Sequence, residues 1–299
     1  MRQSLYMLAT NSIRRVSLMH IGGHVSTSGG IQKSIGRGVD IGAECIQIFA
    51  SSPQSWAFKD LTTSQIQEFH SEIDTNKMGP VFIHCIYLVN LGTPDETNLT
   101  KSITALKNAM NAAAQIGARG VVFHPGSHRG AGFDAVVDQA VSAMQNVLDD
   151  TPEEVSLVIE NSAGMGQHIG SHFREIGRMI RALDNDRVKV CLDTQHTFAA
   201  GYPITDKDGL QKTMEEFERE IGLDHLFVVH ANDSKTPFAS GIDRHENIGQ
   251  GFMGVSGFEV IIKNKCFENV PFLLEVPGME GNGPDAENIN ILKSIRDNR

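Results

Sequence analysis

Gly120-Val-Val-Phe-His124 and Val155-Ser-Leu-Val-Ile-Glu160-Asn161 are short apolar runs that each finish on side chains able to hold a cation. Similar runs recur along the chain. Strands are read at Ser17–Val25, Cys45–Phe49, Val81–His84, Gly120–His124, Val155–Asn161, Val188–Asp193, Leu226–Ala231 and Pro271–Val276. Each is nearly continuous in apolar residues, as expected of parallel strands covered on both faces. Helical spacing fills the intervals. Val136, Val137, Ala140, Val141, Met144, Val147 and Leu148 form one apolar stripe. A capping signal at Thr93-Pro94-Asp95-Glu96 starts another helix, with Ile103, Leu106, Met110 and Ala113 behind it. No linker, repeat or low-complexity tract breaks the rhythm. The reading is an α/β protein, a single (β/α)8 TIM barrel.

The ends of the strands carry the chemistry. The third ends at His84, the fourth at His124 and the sixth at Asp193. Glu160 lies at the end of the fifth, His230 near that of the seventh, and Glu275 near that of the eighth. His196, Asp243 and His245 follow strands closely. In such a barrel all strand C-termini open onto one rim, where active sites are built. Nine imidazoles and carboxylates would therefore meet at one mouth. A lone histidine there is usually a hydrogen-bonded structural group, but unpaired carboxylates so close together repel. Divalent cations resolve the conflict. Imidazole and carboxylate without thiolate is the ligand set of hydrolytic zinc, with manganese and iron as substitutes. At about three protein ligands per metal, the set fits two or three ions with a bridging carboxylate.

The bulk properties are those of an ordinary globular chain. It has 299 residues, 40 % apolar and 21 % charged, and no apolar run near the roughly 18 residues of a membrane span. The four cysteines, Cys45, Cys85, Cys191 and Cys266, are scattered, which argues against a disulfide framework and for a reducing compartment. A net charge of −10 argues against nucleic acid taken alone. Local placement can override it, because bound divalent cations reverse the sign of an acidic site. Residues 1–18 carry Arg2, Arg14 and Arg15 but no acid and are read as an amino-terminal extension, disordered or feeding the first strand. The catalytic domain is read as 19–299. Gly249-Gln-Gly-Phe-Met-Gly254 satisfies GxGxxG but lacks the strand–turn–helix setting of a dinucleotide site. His24 is read as supporting a ligand, not as binding metal itself.

Six blocks, taken in order, name a family. They are His124-Pro-Gly-Ser-His128, Glu160-Asn161, Asp193-Thr-Gln-His196, His230-Ala-Asn-Asp-Ser-Lys235, Asp243-Arg-His-Glu-Asn-Ile-Gly-Gln-Gly251 and Leu274-Glu275-Val-Pro-Gly278. Together they resemble the endonuclease IV family of abasic-site nucleases, over about Ile21 to Ile295. The resemblance implies three zinc ions. His84, His124 and Glu160 would hold the first. Glu160 would bridge to a second, held also by Asp193, His230 and Glu275, and His196, Asp243 and His245 would hold the third. It implies hydrolysis 5′ to an abasic site in double-stranded DNA, leaving 3′-hydroxyl and 5′-deoxyribose phosphate ends, and trimming of blocked 3′ ends. A hydroxide between the first two ions would attack phosphorus, and the third would stabilise the departing 3′ oxygen. No covalent nucleophile is required, so neither Ser127 nor Cys191 is given that role.

The same resemblance assigns DNA contacts. Tyr87 matches an inserting tyrosine, Trp56 closes the second loop, and Gln54 stands where the family usually has an intercalating arginine. Gln195 stands where cysteine is common. Arg244, Lys235, His128 and Arg129 are the local candidates for phosphate contact. A monomer is expected, in the cytoplasm beside the nucleoid, or in a nucleus or organelle if the source is eukaryotic. The competing reading is a divalent-metal sugar isomerase or epimerase on the same barrel, since function lives in the site and not in the fold. A non-catalytic damage-binding protein is a further alternative. The group His196, Asp243 and His245 separates the nuclease from the epimerase, and nine intact ligands argue against lost catalysis.

Overall fold

The computed structural model describes residues 19–298. Eight parallel strands close into a barrel: β1 (Ile21–His24), β2 (Ile46–Phe49), β3 (Val81–His84), β4 (Gly120–Phe123), β5 (Ser156–Glu160), β6 (Val188–Asp193), β7 (Leu226–His230) and β10 (Phe272–Leu274). Neighbours follow chain order, with β10 between β7 and β1. Two more strands, β8 (Asp233–Ser234) and β9 (His245–Glu246), form a separate antiparallel ribbon above β7. Helices α1 (Lys33–Asp40), α2 (Thr63–Asn76), α3 (Glu96–Ile116), α4 (Phe133–Asp149) and α5 (Phe173–Leu183) alternate with the early strands. After β6 comes the short α6 (Thr194–Ala199), then α7 (Lys207–Glu220), α8 (Gly254–Lys263) and α9 (Ala286–Asp297). The expected barrel is present.

Local details differ from the sequence reading where tertiary contacts set the limits. The first strand was expected from Ser17; residues 17 and 18, like the rest of the 1–18 extension, lie outside the described residues, and pairing begins at Ile21. The cap of α3 is Asp95, whose carboxylate accepts the Asn98 amide at 3.0 Å, while the Thr93 hydroxyl braces the Asp95 amide. Asp95 stands three residues before Asn98, the distance at which a side-chain oxygen reaches an unpaired first-turn amide. The α4 stripe is buried apart from Val141, which is half-buried.

The inside of the barrel is layered, and the layering places the site. Cys45, Phe82, Val122, Val158, Cys191, Val228 and Leu273 form one buried cluster, one residue from each of seven strands or their edges. Two positions further along every one of those strands come Gln47, His84, His124, Glu160, Asp193, His230 and Glu275. Side chains repeat with period two along a strand, so each polar residue stands directly above an apolar one. The remaining strand, β1, supplies Gly22 beneath His24. Here the barrel wall comes so close that a Cβ on Gly22 would meet the Cys45 carbonyl oxygen at 1.7 Å. A dry apolar plug thus carries a polar ring.

The seam between first and last strands is clamped by charge. Glu44 accepts the Ile21 amide at 2.9 Å and receives Arg296 and Lys293 of α9. Arg296 also donates to the Met19 carbonyl at 3.0 Å. The terminal helix is thereby fixed to the strand that closes the barrel.

Candidate metal centre

Glu160 sits at the middle, fully buried, with its two oxygens facing different partners. Its Oε2 lies 3.2 Å from His84 Nε2 and 3.6 Å from His124 Nε2. Its Oε1 lies 3.1 Å from His230 Nδ1, which is also 3.3 Å from Glu275 Oε2 and 3.9 Å from Asp193 Oδ2. The ligand atoms of His84, His124 and Glu160 converge closely enough to share one ion, as do those of Glu160, Asp193, His230 and Glu275. A third group lies alongside. His196 Nε2 and His245 Nε2 approach Asp243 Oδ1 at 3.3 and 3.5 Å, and Asp193 borders both. All nine residues expected from the sequence lie at this mouth, and two of the expected groups converge as read; in the third, the ligand atoms of His196 and His245 converge with Asp193, and Asp243 stands alongside.

Four of the histidines have one ring nitrogen facing an oxygen that can accept its proton. His84 Nδ1–H donates to the Cys85 carbonyl at 2.6 Å, and His196 Nδ1–H to that of Asn161 at 2.9 Å. His245 Nδ1–H points to the Glu275 carbonyl at 3.4 Å, and His230 Nε2–H donates to Gln47 Oε1 at 2.9 Å. Each leaves the opposite ring nitrogen, with its lone pair, turned into the site. This is how protein imidazoles are presented to metals. His196 Nε2 and His245 Nε2 are buried without a hydrogen-bond partner. Two orphaned nitrogens aimed at one carboxylate oxygen, and out of line with it, suit a cation among the three. The residues present fit a divalent metal centre of nitrogen and oxygen donors.

The electrostatics point the same way. Burial alone would raise the Glu160 carboxyl, but His124 and His230 hold it well below the usual range. Burial lowers the His196 imidazole, yet the Asp193, Asp243 and Glu160 carboxylates together more than offset this and the group ends well above its ordinary value. His124 is different: burial takes it down to about 4, so it is neutral and ready to coordinate at neutral pH. Stacked carboxylates otherwise have only imidazolium protons to balance them, and cations would replace those protons. Burial pushes the Cys191 thiol up to about 12, which removes it as a nucleophile.

Several supporting residues were not singled out from sequence. Buried Gln47 donates to Glu275 Oε1 at 2.7 Å. Asn232 donates to Asp193 Oδ2 and accepts the Glu275 amide, both at 2.7 Å. Asn161 accepts the Asp193 amide at 2.8 Å. The buried Asp233 accepts amides from Ser234, Gly249, Gly251, Met253 and Gly254 at 2.7–3.2 Å. The glycine-rich loop therefore wraps the chain's own carboxylate, which explains a GxGxxG pattern without a dinucleotide. Period-two counting from the apolar ring is the signal that finds Gln47. Nothing local would have found Asp233.

Comparison with known proteins places this arrangement. A family model described as a xylose isomerase-like TIM barrel matches residues 36–295. A curated relative from Halothermothrix orenii, named "Probable endonuclease 4", is 38 % identical over 276 residues, 92 % of this chain and 99 % of its own. The chain belongs to the endonuclease IV family. The crystal structure of endonuclease IV from Thermus thermophilus superposes with a TM-score of 0.83 at 30 % identity, covering 94 % of this chain and all of that one. A D-tagatose 3-epimerase-like protein reaches a TM-score of 0.70 at 17 % identity, covering 93 % of this chain and 97 % of its own, which is a likeness of fold alone. The family and barrel expected from the sequence are thus met, and the chain is a metal-dependent endonuclease rather than an epimerase.

Against that family assignment, the residues expected to meet DNA fall into two sets. Tyr87 is 55 % exposed, its ring 5.5 Å from His84 and 6.4 Å from His124, and Gln54, Arg129, Arg244 and Lys235 are exposed on rim loops. Lys235 lies 3.8 Å from Glu246, and Arg244 donates to the Asp243 carbonyl. Trp56 and His128 are turned toward the protein. Trp56 packs half-buried on the core under the loop that bears Gln54. His128 Nδ1 accepts the Gly130 and Gly132 amides at 3.2 and 3.0 Å, stapling the loop that presents Arg129. A cavity of about 650 Å³ opens beside the centre between Tyr87, Arg129, His168, His196 and Asp243. Among the described residues, no helix is long and apolar enough to cross a membrane.

Proposed function

We propose that this protein hydrolyses the phosphodiester 5′ to abasic sites in double-stranded DNA, leaving a 3′-hydroxyl and a 5′-deoxyribose phosphate, and trims blocked 3′ ends. The observation that carries the reading is the third group. His196, Asp243 and His245 add a separate donor set beside the four-residue group around Glu160, with orphaned nitrogens facing a carboxylate.

Three zinc ions, with manganese or iron as substitutes, are the cofactors we assign. His84, His124 and Glu160 would hold one, Glu160, Asp193, His230 and Glu275 a second, and His196, Asp243 and His245 a third. When bound, such ions bring the pKa of coordinated water toward about 7 and offset charge on phosphate oxygens. The chain's own residues do the rest. Glu160 ties two groups together through its two oxygens. The exposed Tyr87 ring would fill the gap left by a missing base, as inserted side chains do in bent DNA. Arg129, Arg244 and Lys235 offer cations to phosphates, with His128 setting the loop of Arg129. Gln54 meets DNA as a neutral side chain, on a loop whose shape Trp56 fixes. Residues 19–299 would form the nuclease domain, preceded by the 1–18 extension. The protein would act as a monomer where the cell keeps its DNA, in cytoplasm beside a nucleoid or in a nucleus or organelle.

A duplex oligonucleotide carrying one tetrahydrofuran abasic analogue tests this. The zinc-loaded protein is expected to cut once, 5′ to the analogue, and a strong chelator to abolish the cut. No incision, with turnover of a ketose instead, would replace the nuclease by an epimerase.

A further inference from the structure

Gln47 is fully buried, and its amide lies between two members of the four-residue group. Its Nε2 donates to Glu275 Oε1 at 2.7 Å, and its Oε1 accepts from His230 Nε2 at 2.9 Å. The opposite amide orientation would set two oxygens 2.7 Å apart and two donors face to face, so the network admits one orientation only. His24 Nδ1 completes the contact at 3.1 Å, and β1 and β2 pair His24 with Gln47 in register.

We infer that Gln47 is a positioning residue of the metal centre, setting two ligands with a single amide. By accepting from His230 Nε2–H it leaves Nδ1 as the lone-pair nitrogen, 3.1 Å from Glu160 Oε1 and 3.3 Å from Glu275 Oε2. By donating to Glu275 Oε1 it satisfies that oxygen and leaves Oε2 on the side of His230. A carboxylate at this position could do the first task but would repel Glu275. An apolar side chain could do neither. The inference rests on the metal-centre reading given above, and it assigns Gln47 an effect on metal affinity although it belongs to none of the three ligand groups.

Gln47→Met keeps length without either hydrogen bond, and Gln47→Glu keeps the acceptor alone. Zinc affinity of both, and of the wild type, is read by competition with a chromophoric chelator. Removing such a supporting partner weakens metal binding about 10–100-fold. Both variants are expected to lose affinity on that scale. The His230 Nε2–H resonance of the zinc-loaded proteins gives an independent signature in long-range 1H–15N spectra. It should move upfield in Gln47→Met, where its acceptor is gone, and downfield in Gln47→Glu, where the acceptor is charged. If Gln47→Met does not fold, the similarly sized Gln47→Glu carries both readouts. Zinc binding at wild-type affinity in both variants, or a His230 resonance that stays put in both, overturns the inference and leaves the metal centre standing. A wild-type protein that binds no zinc would instead sink the metal centre itself.

Discussion

Asp193 Oδ1 accepts the backbone amide of His196 at 2.8 Å, so one carboxylate ends strand β6 and caps helix α6. Its other oxygen faces His230 and His245 at 3.9 and 3.7 Å. Cap and ligand can be separated. Asparagine is as good a helix cap as aspartate, whereas losing a cap to alanine costs about 1 kcal/mol. Asp193→Asn is therefore expected to keep the metal-free fold but lose zinc, and Asp193→Ala to lose zinc and unfold at lower denaturant as well. Chemical unfolding without metal, paired with a zinc count, checks both. Full zinc content in Asp193→Asn would contradict the ligand role.

Gln195 reaches across to the other half of the third group. Its Nε2 donates to the Ile242 carbonyl at 2.9 Å, immediately before Asp243. Two backbone bonds, Gly241 to Ala199 and Ala239 to Phe198, tie the same loop to α6. Asp243 is therefore held opposite His196 by the helix that carries His196. Gln195→Ala removes one of the two donors to the Ile242 carbonyl, which keeps the Thr236 hydroxyl at 3.2 Å, a loss of about 1 kcal/mol. It should lower the affinity for one zinc ion while sparing the others. Stepwise zinc titration by calorimetry checks this, and an unchanged titration would count against the coupling.

These supports show what a sequence can and cannot reveal. Glu160 and His230 were legible because they interrupt apolar strands, and barrel geometry sends every strand end to one rim. Gln47 was not, because it sits inside a run and looks like strand filler until the alternation with Cys45 beneath it is counted. The ribbon of β8 and β9 was invisible, since two-residue strands carry no periodicity. The half-buried setting of Trp56 and the loop-stapling bonds of His128 were equally out of reach. Whether a loop side chain faces solvent or its own backbone depends on packing that no local pattern encodes.

Glu44 makes barrel closure sensitive to acid. Burial raises its carboxyl, but Arg296, the Ile21 amide and Lys293 together outweigh burial and the group sits below its ordinary value. A carboxyl depressed by folding adds stability that is fully present above the unfolded value, near 4.3, and lost as pH falls through the lower folded one. Its side chain is partly exposed, so the pair is worth on the order of 1 kcal/mol. Glu44→Gln should lower the melting temperature at pH 7 and narrow its difference from wild type below pH 4. A difference that grows with acid would reverse the sign and refute the clamp.

The first two ligand groups meet at Glu160, whose two oxygens face one each. Glu160→Gln keeps its volume and exchanges one oxygen for a donor that cannot bind a cation. The decisive measurement is incision of the tetrahydrofuran duplex by wild type and Glu160→Gln, both supplied with excess zinc. One cut 5′ to the analogue is expected for wild type and none for the variant, with less zinc bound. Wild-type cutting by Glu160→Gln would contradict it.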